Sequence, residues 1–443
     1  MNKNKIIFGI LGAILVIILL LLALNLRSTE PTRTTVNNSD AFNVWILQDK
    51  SEDFDEFLRK FRESNPKYTN KTNINVETFS DYDSYFYSLV AAFSRWEWPD
   101  LFTLNNSEIS VLEDNIIGID PLLISPSEFR KMYKWVFSDD LISRTGDGLE
   151  FLKGIPVWYE SLWVYYNRRY FRATDFESWT ALGSAVSELS ERNSGELVPL
   201  GLGKSDATVH AWDIFTQLLA LGGDADLGSL SSQTIGQALQ IYEWYADERG
   251  DNRYNGLLWS NPDKNNLDLF STWDVAAVIW YPRTLESIDE KWYRNTFLLA
   301  TPFPSFAWTD HRTLINYDYY VINKDSQDTW FAIDLLTYMM TDEGASQYLD
   351  IFTHYLPAKI SLEDDRFEKK INENYNVVYK DFYDRDSLLV SFNTGIKQIY
   401  DKDILPILSD DTNSISRFNR LSSSVICKAG KALTLENLSQ KCE

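Results

Sequence analysis

Apolar positions along this chain fall into short blocks of two kinds, and their order predicts an α/β fold. Phe42-Asn-Val-Trp-Ile-Leu47 reads as a strand. Phe54, Phe57, Leu58 and Phe61 then recur at helical spacing until Pro66 stops the run. Ile74-Asn-Val-Glu-Thr-Phe79 predicts a second strand, residues 82–93 a second helix, and Pro99-Asp-Leu-Phe-Thr-Leu104 a third strand. Strand, helix, strand, helix, strand is the pattern of a mostly parallel sheet. Further on, residues 176–192, 211–220, 234–247, 329–340 and 343–352 read as helices, and 276–280, 297–300 and 319–322 as short strands.

Two blocks break this rhythm. The first is residues 6–24, apolar throughout, without a charge or a proline, behind Lys3 and Lys5. At about 1.5 Å rise per residue such a helix covers roughly the 30 Å hydrocarbon core of a bilayer. The positive flank predicts the N-terminus inside and the rest of the chain outside. An uncleaved anchor is favoured over a cleaved signal peptide, because the run is long and residues 23–25 make a poor small-x-small site. The expected organisation is a cytoplasmic tail over 1–5, a transmembrane helix over 6–26 and a polar linker over 27–40.

The second block is Lys153-Gly-Ile-Pro-Val-Trp-Tyr-Glu-Ser-Leu-Trp-Val-Tyr-Tyr-Asn167. It has two turn formers at its start, crowded aromatic residues after them, and no clean alternation. That predicts a bent strand covered on both faces, crossing between two lobes. Trp158, Tyr159 and Glu160 are expected at the mouth of a cleft, where flat rings and a carboxylate hold a polar small molecule. Recognition, rather than covalent chemistry, is the first reading.

Composition narrows the partners. At 443 residues the chain is too long for one core, and 44% hydrophobic with 24% charged residues excludes global disorder. A formal charge of −22 argues against a nucleic-acid partner, which needs a basic face. His210, His311 and His354 show no metal-ligand spacing, and no phosphate loop or nucleophile elbow occurs. No cofactor, no metal site and no enzymatic activity are expected. Cys427 and Cys442 are the only cysteines. On the oxidising side of a membrane their disulfide would contribute about 3 kcal/mol, the alternative being two unpaired thiols.

Taken in order, several motifs resemble the extracellular solute-binding proteins of ABC importers, of the sugar-binding family 1 type. They are Pro99-Asp-Leu-Phe, Gly154-Ile-Pro-Val-Trp-Tyr-Glu-Ser-Leu, Val164-Tyr-Tyr-Asn167, Trp179 with Leu182, and Gly201-Leu-Gly203. Leu218-Leu-Ala-Leu-Gly-Gly223, residues 270–279, Pro302-Phe-Pro304, residues 319–323, residues 332–348 and Tyr355-Leu-Pro-Ala358 follow. The likeness spans roughly residues 41 to 360. It implies a type II two-lobe periplasmic-binding-protein fold, with lobe one from 41–156 plus 283–320. Lobe two would hold 157–282 plus 321–426, and 427–443 would form a tail carrying the cysteine pair. The chain would cross between lobes near 155–157, 279–282 and 319–322. Ligand would be trapped between the lobes by hinge closure and handed to the permease subunits of an importer.

The residues expected at such a site are Gln48 and Asp49 after the first strand and Asn105 at the end of the third. Trp158, Tyr159 and Glu160 come from the crossing segment, and Trp212 from a helix start. Trp280 and Tyr281 belong to the second crossing, Tyr317 and Asp318 to the third. One place departs from the family's pattern. Where sugar binders carry glycines followed by Pro-Trp, this chain reads Ile279-Trp-Tyr-Pro-Arg283. Bulky Trp280 and Tyr281 would narrow the cleft, and Arg283 would either hold a ligand carboxylate or form a surface ion pair. A sugar or a sugar acid is therefore the expected ligand. The rival classes are an anchored glycan hydrolase, with Glu160 and Asp49 or Asp318 as its carboxylates, and a sensor ectodomain without a transport role.

Overall fold

The phenylalanines spaced along the first helix do what their spacing predicts. In a computed structural model, Phe54, Phe57, Leu58 and Phe61 of helix Ser51–Ser64 are buried, with acids in its first turn and Arg62 in its last. The structure describes residues 41–47, 51–79, 82–95, 97–106, 112–193, 197–202, 208–222, 237–238, 241–242, 265–287, 297–306, 312–352, 355–364 and 388–390. The expected tail, anchor and linker over 1–40, Gln48, Asp49, and the Cys427–Cys442 pair lie outside the described residues. Among the described residues no helix is long and apolar enough to cross a membrane.

In chain order the strands are β1 (Phe42–Ile46), β2 (Ile74–Thr78), β3 (Leu101–Asn105), β4 (Ile142–Arg144), β5 (Glu150–Leu152), β6 (Ile155–Pro156), β7 (Trp158–Ser161) and β8 (Trp163–Asn167). Then come β9 (Val198–Leu200), β10 (Val275–Trp280), β11 (Leu298–Pro302), β12 (Arg312–Asn316), β13 (Asp318–Ile322), β14 (Leu356–Pro357) and β15 (Leu388–Val390). Among the described residues they form a first sheet ordered β2-β1-β3-β13-β6 and a second ordered β11-β8-β10-β9. A third, small sheet runs β14-β7-β12-β15, and β4 pairs with β5 as a hairpin.

The segment from Lys153 to Asn167 is thus three strands in three sheets. β6 closes the edge of the first sheet, β7 lies in the small sheet, and β8 lies inside the second. The chain returns by the same route, from β11 in the second sheet through β12 in the small sheet to β13 in the first. Gly154 makes the first of these passages possible. A Cβ there would sit 2.5 Å from the Tyr320 carbonyl oxygen and 2.7 Å from the Tyr319 ring. Gly154→Ala is expected to lower stability by about 1–3 kcal/mol, read as a fall in thermal midpoint. An unchanged midpoint would contradict this close approach.

Two expectations need correction. The chain does not return to the first sheet at 279–282, because β11 pairs with β8 along its whole length, Leu298 opposite Asn167 and Pro302 opposite Trp163. The stretch 283–320 therefore does not belong wholly with the first sheet. Residues 321–426 do not all belong with the second either. Helices Thr329–Met340 and Asp342–Ile351 bury Phe331, Leu335, Leu336 and Tyr348 in the core of the first sheet. There Phe42 meets Phe331 edge-on at 4.7 Å and Phe54 stacks on Tyr320 at 5.9 Å. A second core cluster gathers Val164, Tyr166, Leu182, Ile214, Leu218 and Ile279 around the second sheet.

Candidate functional site

The small sheet is held from both sides by buried amides. Gln217 on helix Ala211–Gly222 donates to the Arg312 carbonyl at 2.7 Å and accepts from the Leu314 amide at 2.7 Å. From the first sheet's side, Asn106 accepts from the Tyr317 amide at 3.2 Å and donates to the Ile315 carbonyl at 3.5 Å. β12 is thereby tied to both neighbours, which fixes the side chains of β7 beside it.

Strand alternation sorts those side chains. Tyr159 lies near Phe137 at 6.0 Å, and Phe137 also meets Tyr317 edge-on at 4.8 Å. The Tyr317 hydroxyl donates to Asp140 at 2.7 Å. Trp158 and Glu160 project from the other face of β7. The Trp158 ring stacks on Tyr355 at 3.7 Å with an interplanar angle of 12°. The expected trio is therefore split, and only Trp158 and Glu160 share a face.

Glu160 is the hub. Its Oε1 accepts from Arg283 Nε at 3.1 Å and from Asn316 Nδ2 at 3.1 Å. Asn316 Oδ1 in turn accepts from Asn105 Nδ2 at 2.7 Å, and the same Asn105 amide donates to Asp318 Oδ1 at 2.9 Å. One polar relay therefore runs from β3 and β13 of the first sheet, through β12 and β7 of the small sheet, to the 3-10 turn Pro282–Ser287 that follows β10. Glu160 is fully buried, and among the described residues its Oε2 has no hydrogen-bond partner.

The Tyr281 hydroxyl donates to Asp213 Oδ1 at 3.0 Å, and His210 Nδ1 lies 3.5 Å from Asp213 Oδ2. Trp212, beside Asp213, packs against the second core cluster. Trp280 points to the opposite face from Tyr281, edge-on to Phe270 at 5.1 Å. Arg283 is neither a surface ion pair nor a vacant cation, because the carboxylate it meets is buried. The sequence reading missed Gln217, Asn316, Asp213 and Tyr355. Only Tyr355 lies in a motif, Tyr355-Leu-Pro-Ala358, and each matters through a partner distant along the chain.

Burial pushes the Glu160 carboxyl up to about 7, opposed by Arg283 and by the Asn316 hydrogen bond and assisted by Asp318 and Asp213. Asp318 is also raised by burial, against the Asn105 hydrogen bond and Arg283. Between the usual carboxyl value of 4.5 and about 7 the folded chain holds a proton on Glu160 that the unfolded chain releases. This contribution is complete below about 4.5 and is lost as pH rises through about 7. It amounts to roughly 3 kcal/mol. A urea titration should therefore show stability falling from pH 5 to pH 8, with a smaller fall in Glu160→Gln. Equal slopes in both proteins would contradict the assignment.

A model of the bacterial extracellular solute-binding protein family matches residues 57–375. The chain belongs to this family. Its fold is similar to that of the sugar-binding protein MalE from Xanthomonas citri, with a TM-score of 0.64 and 14% identity over 89% of this chain and 98% of that one. It is similar too to the ABC substrate-binding protein Lmo0181 from Listeria monocytogenes in complex with cycloalternan, with a TM-score of 0.63, 15% identity, and 89% and 98% covered. The GacH receptor of Streptomyces glaucescens, solved unliganded and with acarbose, matches with a TM-score of 0.60, 14% identity, and 90% and 99% covered. No curated protein matches the chain. Family and fold agree with the solute-binding class expected from the ordered motifs.

Proposed function

We propose that the protein is a membrane-anchored extracellular binding protein that captures a carbohydrate between two lobes and delivers it to an ABC importer. The observation that carries this reading is the relay from Asp318 and Asn105 through Asn316 and Glu160 to Arg283. It joins two large sheets at the strands where the chain passes between them. A solute bonded to this relay touches both sides at once, so it favours the arrangement in which the sides are closed. Structural neighbours solved in complex with cycloalternan, acarbose and maltose support carbohydrate as the solute class. The apolar run over residues 6–24 supports the anchor.

Proposed contacts are Glu160, Arg283, Asn105 and Asp318, with Trp158, Tyr281 and Trp212 around them. Tyr159, Trp280 and Tyr317 complete the expected set among the described residues, and Gln48 and Asp49 belong to it but lie outside them. A hydrolase would use Glu160 and Asp318 as its acid and base, since both are raised by burial. The binding reading is preferred because Oε1 of Glu160 is already committed to Arg283 and Asn316, and Oδ1 of Asp318 to Asn105. The test is a thermal-shift screen of the full chain, in a detergent without a sugar head group, against neutral, amino and acidic oligosaccharides. A specific ligand at about one hundred times its Kd should stabilise by about 2.7 kcal/mol and be recovered intact. Silence across the whole panel, or cleavage of the ligand, would overturn the reading.

A further inference from the structure

We propose that the solute offers a hydroxyl or ammonium hydrogen to Glu160 Oε2 and carries no carboxylate. This rests on the reading of the relay as the binding site and names what that site selects. The first observation is the unpartnered oxygen. Among the described residues Glu160 Oε2 has no donor although the side chain is fully buried, while Oε1 holds two. A buried acceptor without a donor is costly, and a solute that supplies one removes that cost only when bound. Hydroxyl and ammonium groups supply hydrogens; a carboxylate at neutral pH supplies none.

The second observation is the balance of charge. Asp318 and Asp213 both lie within electrostatic reach of Glu160, against the one guanidinium of Arg283, with His210 Nδ1 3.5 Å from Asp213 Oδ2. Tyr165, Tyr281 and Tyr355 lie within electrostatic reach of the same carboxylate and add no positive charge. From the sequence, Arg283 reads as a receptor for a ligand carboxylate or as a surface ion pair. In the folded chain its Nε is taken by Glu160 at 3.1 Å, so its charge is already matched. A ligand carboxylate would add a fourth acidic group to this surplus. Selection here works by rejection as much as by attraction: an analogue lacking the donor leaves Oε2 unpaired.

The experiment titrates three trisaccharides of matched size into the full chain at pH 8, where Glu160 is ionised and its Oε2 is an acceptor, in a detergent without a sugar head group. They are maltotriose, fully deacetylated chitotriose and trigalacturonate. Trigalacturonate should bind at least about tenfold more weakly than the better of the other two. The preference between maltotriose and deacetylated chitotriose shows whether the donor is a hydroxyl or an ammonium. Glu160→Gln, which places an amide hydrogen where an acceptor is needed, should weaken the better ligand about tenfold and narrow the discrimination. Trigalacturonate binding tightest, or Glu160→Gln leaving all affinities unchanged, overturns the proposal while leaving a carbohydrate-binding function intact. Binding of none of the three counts against that function and removes this inference with it. The comparison on the unaltered chain stands alone if the variant does not fold.

Discussion

Replacing Trp158 by alanine is expected to remove about 3–5 kcal/mol of folding stability, whether or not a solute is present. From the sequence, this side chain reads as a ring facing solute, and its removal would leave the empty protein untouched. The structure gives it another duty. The ring is 1% exposed, stacks on Tyr355 at 3.7 Å, and stands on a strand whose backbone pairs with both β12 and β14. Deleting it opens a cavity where the chain passes between sheets, and rigid backbone on both sides limits collapse into the space. Chemical denaturation of the unliganded chain measures this directly. Lost solute binding with unchanged stability would restore the simpler view of Trp158 as a ligand platform.

Arg283→Met should lower stability by about 2 kcal/mol at pH 8, because it strands a buried carboxylate without its charge partner. The figure is below the roughly 3–5 kcal/mol of fully buried pairs because the Arg283 side chain is 34% exposed and water screens part of the interaction. The loss should shrink near pH 5. There the Glu160 carboxyl, with its value near 7, is protonated in both proteins, and no charge remains to be stranded. Combining Arg283→Met with Glu160→Gln should recover part of the loss at pH 8, since neither charge is left buried. A loss that is the same at both pH values would mean that Arg283 acts through packing alone.

Much of the first sheet is legible in the sequence because its information is local. Phe54, Phe57, Leu58 and Phe61 declare a helix face, Pro66 its end, the block at 42–46 strand β1, and the blocks at 74–78 and 101–105 the strands on either side of it. The crossing segment is legible as unusual, through Gly154 and the crowded rings. Its division into three strands is not, because that depends on β8 finding β10 and β11 and on β7 finding β12. The site shows the same limit. Glu160 and Asp318 stand out as acids in apolar strands, and Arg283 as a departure from a family pattern. That they belong to one relay follows from Asn316, whose short polar side chain looks unremarkable in Arg312-Thr-Leu-Ile-Asn316. Gln217 is less visible still, one amide in an apolar helix, yet both of its ends hold β12.

The central claim is that a carbohydrate binds where the relay joins the two large sheets. Amide hydrogen exchange of the full chain, with and without a saturating carbohydrate taken from the screen, tests it most directly. Exchange should slow across residues 157–163, 281–287 and 312–318 together, because one solute ties all three to a single closed arrangement. Slowing confined to other segments, or no change at saturation, would contradict the claim.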